Sequence, residues 1–229
     1  MKYSIIHVND RAKEKIKHNQ SILSSFDYVN DIEYINGNEV NAFNSLNNLG
    51  IDCYAWNPYD GRTSYTLPGE YGIWASTINV WQYMIKHKIE KLLVLEDDIS
   101  LRDDFINSLD QCIKDLPENF DFLSLYYFDE QNADSEETEI GSNNIKKSYH
   151  QHSAGQAMLY SLSGAKKLFK LIKRKGLEYT TDCFIFKQSE LGLVNGYSIK
   201  GNHDRLLTHE YDSIKSLIDP SNLRNNSNL

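Results

Sequence analysis

The stretch from Lys91 to Ser100 constrains this chain more than any other. Leu92, Leu93, Val94 and Leu95 form an unbroken apolar run, which reads as a strand buried on both faces. Such a strand has to lie inside a sheet with helices above and below it. The run then ends abruptly in three carboxylates, Glu96, Asp97 and Asp98. Like charges at the mouth of a buried strand repel one another and resist desolvation. A divalent cation, Mg²⁺ or Mn²⁺, relieves both problems, because hard cations prefer carboxylate oxygens. Ligands of open α/β sheets gather beyond the carboxyl ends of strands, where this triplet falls. The competing role is to cap the next helix. Ser100 and Asp103 already supply a Ser-x-x-Asp capping pair, and Asp103 and Asp104 suit the positive helix end. Asp97 and Asp98 are thereby left for a metal or a nucleotide.

The 229 residues suffice for one α/β domain with a real core, and 40% apolar with 12% aromatic residues exclude a disordered chain. The net charge of −8 argues against nucleic acid as the main partner, which needs a basic surface. Cys53, Cys112 and Cys183 are scattered without metal spacing and read as core residues of a reduced compartment. Met1 to Val8 is too short and polar for a signal peptide, and no segment approaches the roughly 18 apolar residues of a membrane span. The expected setting is the cytoplasm, with peripheral membrane association left open.

Along the chain, Tyr3–Val8 reads as a first strand ending in Asn9, Asp10 and Arg11. A polar helix over 12–24 follows, anchored by Ile16 and Leu23. Asp10 could cap that helix, and Arg11 is either a solvated cation or a partner for a diphosphate or base. Further strands are expected at 28–35 and 51–56, with a helix at 41–49 ended by Gly50 and a long loop at 57–69. Glu70 to Lys86 carries Trp74, Ile78, Trp81 and Ile85 in one helical stripe, which is core packing. The helix after the acidic strand buries Phe105, Leu109, Cys112 and Leu116. Strands at 120–127, 147–152, 156–162 and 191–199 complete the list, with a helix capped by Ser163 and closed by Gly176. The acidic stretch 129–144 reads as a solvated loop or lid. One domain is expected over 1–219, in two halves at 1–130 and 131–219, with a disordered tail at 220–229.

Several of these motifs together resemble glycosyltransferase family 25. Gly69-Glu70-Tyr71-Gly72 opens a helix that also carries Ser76 and Trp81, and Leu93-Val94-Leu95-Glu96-Asp97-Asp98 follows it. Upstream, Asn9-Asp10-Arg11 is similar to the family's opening Asn-Leu-Asp-Arg. Downstream come Gly155 to Leu162, Gly164 to Leu168, Asp182 and a segment from His209 to Ser213. The chain departs from the family at Ser76-Thr77, where Ser-His is usual, and at Ile73, where Cys is frequent. The resemblance implies a GT-A-like, mostly parallel α/β sheet flanked by helices. It also implies a UDP-sugar donor, a divalent metal, a glycan acceptor and inversion at the anomeric carbon, with galactose as the family's typical hexose. The same resemblance makes 1–130 the nucleotide-sugar half and 131–219 the acceptor-side half.

Glycosyl transfer suits the residues on chemical grounds as well. A departing nucleoside diphosphate is strongly anionic, and a cation offsets the charge that develops on it. Glu96 and Asp98, first and third of the triplet, are the candidate metal ligands, and Asp97 would accept hydrogen bonds from the ribose or base. His209 is the candidate distant ligand, ahead of His203. Asn9, Asp10, Arg11 and Glu70 take donor-side roles by the resemblance; Glu70 alone also reads as a helix-dipole partner. Asp182, set among Tyr179, Thr180, Thr181, Cys183 and Phe184, is the candidate general base, with a helix cap or a salt-bridged acid as its plainer reading. Trp56, Tyr59, Tyr126 and Tyr127 could stack on sugar faces or simply pack. Two rival functions remain: a nucleotidyltransferase acting on a sugar phosphate, and a degenerate sugar-binding scaffold. The first would want a Gly-rich basic loop near the amino terminus, and 9–17 holds no glycine.

Overall fold

In the computed structural model, residues 1–6, 12–29, 32, 40–53, 68–126, 144–148, 155–200 and 206–209 are described. Nine strands and six helices appear among them. They are β1 (Lys2–Ile6), α1 (Lys13–Ile22), β2 (Asp27–Tyr28), α2 (Val40–Asn48), α3 (Pro68–His87), β3 (Lys91–Glu96), β4 (Ile99–Leu101), α4 (Phe105–Asp115), β5 (Phe122–Ser124), β6 (Ile145–Lys147), β7 (Ala157–Ser161), α5 (Leu162–Lys175), α6 (Thr181–Glu190), β8 (Gly196–Ile199) and β9 (Leu207–His209).

Seven strands form one sheet in the order β2-β1-β3-β7-β5-β8-β6. Five of the seven point the same way, and β7 and β6 run against them. This is the expected mostly parallel α/β sheet. The acidic strand β3 lies inside it, parallel to β1 (Ile6 opposite Glu96) and antiparallel to β7 (Leu95 opposite Ala157). The apolar run of β3 divides by the two-residue period of a strand. Leu92 and Val94 join Trp74, Ile78, Trp81, Leu168 and Phe184 on the face covered by α2, α3, α5 and α6. Leu93 and Leu95 join Leu23, Phe105, Leu109 and Cys112 on the face covered by α1 and α4. Every residue from Leu92 to Leu95 is buried.

Some local expectations are corrected. Ser100 does not cap α4: it lies in β4, opposite Thr208 of β9, and the helix starts after Asp104. Ser163 does not cap α5 either. Ser161 does, its Oγ accepting from Gly164 N at 3.0 Å, so one residue both ends β7 and starts the helix. Ser163 donates instead to Asp121 Oδ1. Residues 51–53 form no strand, and the strand expected at 147–152 is β6, ending at Lys147. The strand expected over 28–35 shows only Asp27 and Tyr28, most of the rest lying outside the described residues. So do Asn9, Asp10, Arg11, Trp56, Tyr59, Tyr127, 129–143, His203 and the tail. Tyr126 is buried. Cys53 and Cys112 are buried as expected, and Cys183 is half-buried.

Asp121 is a wholly buried acid that ties three elements together. Its Oδ2 accepts from Lys167 Nζ at 2.6 Å and from Asn195 N at 2.7 Å. The start of α5 is pressed so closely on this point that a Cβ at Gly164 would collide with the Asp121 carbonyl and its carbon. A backbone obstacle cannot rotate away as a flexible side chain can. Gly164→Ala should therefore lose about 3 kcal/mol or more of stability in a denaturant titration. A change under about 1 kcal/mol would contradict the tight seat.

Candidate active site

Glu96 is the last residue of β3, and Asp97 and Asp98 form the turn that leaves the sheet. By strand alternation Glu96 shares the side of Leu92 and Val94, the face covered by α3 and α6. Both helices present their first turns here. Glu70 occupies the first turn of α3, which Pro68 opens, and Asp182 occupies the first turn of α6. Helix starts carry unpaired N–H groups and the positive dipole end, so they tolerate clustered carboxylates better than a bare cleft would. Trp74 Nε1 donates to Tyr179 O at 3.0 Å, and the Trp74 and Phe184 rings meet edge to face at 5.3 Å. These contacts hold α3 and α6 in register, and Glu70 and Asp182 with them.

The result is a crowd of acids around Glu96. Burial first, then the charges of Asp98, Asp182, Asp97 and Glu70, push the Glu96 carboxyl well above the usual carboxylate range. The groups acting on it are all anionic. Tyr160 of β7 lies close enough for Glu96 and Asp182 to add to the upward push that burial gives its phenol. Asp182 Oδ1 accepts from Thr180 Oγ1 at 2.7 Å and from Cys183 N at 2.8 Å. Asp182 is not the helix cap of its plainer reading: Thr180 holds the N-cap position of α6, and Asp182 lies inside the first turn beside Glu96.

Neutralising Glu96 should stabilise the metal-free fold. A carboxyl with a raised folded-state pKa favours folding below its unfolded pKa, and that contribution disappears as pH rises through the folded value. Glu96→Gln should therefore melt higher than the native chain at neutral pH without metal, the gap closing as pH falls toward 4. Equal melting temperatures at every pH, read by calorimetry, would show that the crowding carries no cost.

The turn is gripped from α1, whose buried Asn19 went unnoticed in sequence. Asn19, 1% exposed, donates from Nδ2 to Ile99 O at 3.0 Å and accepts at Oδ1 from Leu101 N at 2.9 Å. One amide thus pairs with β4 as a neighbouring strand would. His18 Nε2 contacts Leu101 O at 2.9 Å, and Lys15 Nζ donates to Asp98 O at 3.3 Å. On its other side β4 pairs with β9, placing the backbone of His209 opposite Ile99, next to Asp98. The side chain of His209 lies outside the described residues. Among the described residues no three His, Cys, Asp or Glu side chains are arranged to hold a metal ion by themselves.

The model of glycosyltransferase family 25 (LPS biosynthesis protein) matches residues 59–185, more than half of the chain. The chain belongs to glycosyltransferase family 25. The family match takes in Glu70, the 96–98 triplet, Gly155 and Asp182, and leaves 9–11 and His209 outside it. Curated relatives include a probable inactive glycosyltransferase 25 family member 3 of Rattus norvegicus, 28% identical over 87 residues (37% of this chain, 15% of the relative). Its Bos taurus counterpart is 25% identical over 144 residues (60% and 23%). The Homo sapiens protein, named an inactive family member, is 28% identical over 87 residues (37% and 14%). The matched stretches thus span under a quarter of those longer proteins. Among solved structures, a glycosyltransferase involved in glycosylation of the major capsid of PBCV-1 aligns at TM-score 0.44 with 11% identity, covering 93% of this chain and 94% of that one. Within the family 25 chain, no described helix is long and apolar enough to cross a membrane.

Proposed function

We propose that this chain transfers a hexose from a UDP-sugar to a hydroxyl of a glycan acceptor, with inversion and with a divalent cation. The observation that carries this reading is the convergence of Glu70, Asp97, Asp98 and Asp182 on Glu96 at the carboxyl end of β3. Packing so many acids together is unfavourable unless a ligand uses them. Their oxygens suit Mn²⁺ or Mg²⁺. Glu96 and Asp98 would hold it, with His209 near enough in backbone position to contribute. When bound, the cation offsets the charge developing on the diphosphate leaving group.

The rest of the work falls to the chain's own side chains. Asp97 would accept hydrogen bonds from the nucleoside, and Glu70, at the start of α3, would face the donor. Asp182 would take the proton of the acceptor hydroxyl as its oxygen bonds to the anomeric carbon from the side opposite the diphosphate. The fixed contacts from Thr180 and Cys183 to Oδ1 orient that carboxylate for the task. Galactose is proposed as the sugar by family analogy, and the cytoplasm as the working compartment.

Titration calorimetry with UDP, with and without manganese, tests the reading: UDP heat should appear only with the metal. Turnover across a panel of UDP-hexoses should then single out one donor. Absence of both heat and turnover would overturn it. A second reading, a sugar-binding scaffold that kept the fold, is favoured by the inactive relatives. It predicts no metal-linked UDP heat.

A further inference from the structure

Gly155 lies against both Glu96 and Asp182. A Cβ at Gly155 would stand 3.4 Å from Glu96 Oε1 and 3.7 Å from Asp182 Cβ. This one backbone position therefore touches both acids. The next residue, Gln156, gives its carbonyl to Glu96 N at 2.8 Å, while its Oε1 is buried with no hydrogen-bond partner. Thr181, immediately before Asp182, is 7% exposed, and its Oγ1 is likewise buried and unpartnered. Thr180 differs, since its hydroxyl is spent on Asp182. A buried hydroxyl or amide oxygen without a partner destabilises the fold. Such groups are few in folded proteins, and each calls for a cause. Here two of them belong to the residue after Gly155 and the residue before Asp182.

We propose that Gly155, Gln156 and Thr181 form the subsite for the transferred hexose. It rests on the reading of this site as a UDP-sugar transferase and names the part of it that reads the sugar. The bare Cα of Gly155 lets one edge of the ring come into contact with both the cation-binding acid and the base. A sugar hydroxyl donates to Gln156 Oε1, and another exchanges a hydrogen bond with Thr181 Oγ1. Sites built to hydrogen-bond a hydroxyl discriminate strongly against analogues that lack it, because the protein group is then left stranded. An added methyl at 3.4–3.7 Å makes ordinary contact with the protein, so Gly155→Ala should fold normally while taking the place of the ring's near edge.

The test uses the full chain with manganese and compares UDP with the hexose donor that the native protein turns over best. Thr181→Val and Gly155→Ala should bind UDP within about twofold of the native chain, which also reports on folding. The hexose donor should bind Thr181→Val about tenfold more weakly, one lost hydrogen bond of about 1.4 kcal/mol. Among deoxy-sugar donors, the one lacking the hydroxyl that Thr181 reads should bind native and Thr181→Val proteins alike. Normal UDP binding with native affinity for the hexose donor in both variants would overturn the subsite alone. Absence of UDP binding by the native protein would overturn the donor reading and the subsite with it.

Discussion

Asp98→Asn is expected to cut glycosyl transfer by about 10³-fold while the protein stays folded. The substitution keeps the volume of the side chain and removes one negative charge. In the turn after β3 the backbone is held independently, by Lys15 on the Asp98 carbonyl and by Asn19 and β9 on the strand that follows. Deleting a charge from a cluster of like charges does not weaken the fold, so a fall in activity here would not come from unfolding. Transfer measured at saturating manganese, beside a thermal melt of the same sample, separates the two. Native turnover in this variant would show that the acidic triplet does not serve the departing diphosphate.

Asp182→Asn should lower kcat by about 10²–10⁴-fold, the usual contribution of a positioned general base. An asparagine oxygen can still accept from Thr180 Oγ1 and Cys183 N, so the start of α6 survives. It cannot accept the acceptor's proton. UDP binding should stay close to native, which distinguishes loss of the base from loss of the donor site. A variant that retains native kcat would leave Asp182 as no more than a first-turn acid of α6.

The parts legible in sequence were those in which one short stretch carries its own signal. Four apolar residues in a row announced a strand buried on both faces, and three acids after them announced the end of the sheet. The Trp74, Ile78, Trp81 stripe gave α3 because its period is that of a helix. What escaped depends on partners distant in the chain. The place of β7 between β3 and β5, against the direction of both, leaves no local trace. β4 and β9 are three residues each, too short for a period to show. Asn19 sits in a helix polar enough to look solvated, so nothing marked it as a buried clamp. The helical start at Thr180-Thr181-Asp182 was hidden by β-favouring neighbours, although a Thr followed by an acid is a helix-entry pattern. The triplet's charge was visible, but its companions Glu70 and Asp182 were brought to it by helix packing rather than by spacing.

The two-stranded ladder of β4 and β9 has a bearing on timing. Ile99 meets His209 across more than a hundred residues, in a ladder separate from the main sheet. Every described strand of that sheet precedes β9 in the chain, so the central scaffold can pair before the second half of the small ladder is made. The ground beside Asp98 is completed after the sheet. A nascent chain would thus hold a paired central sheet before β9 docks beside Asp98.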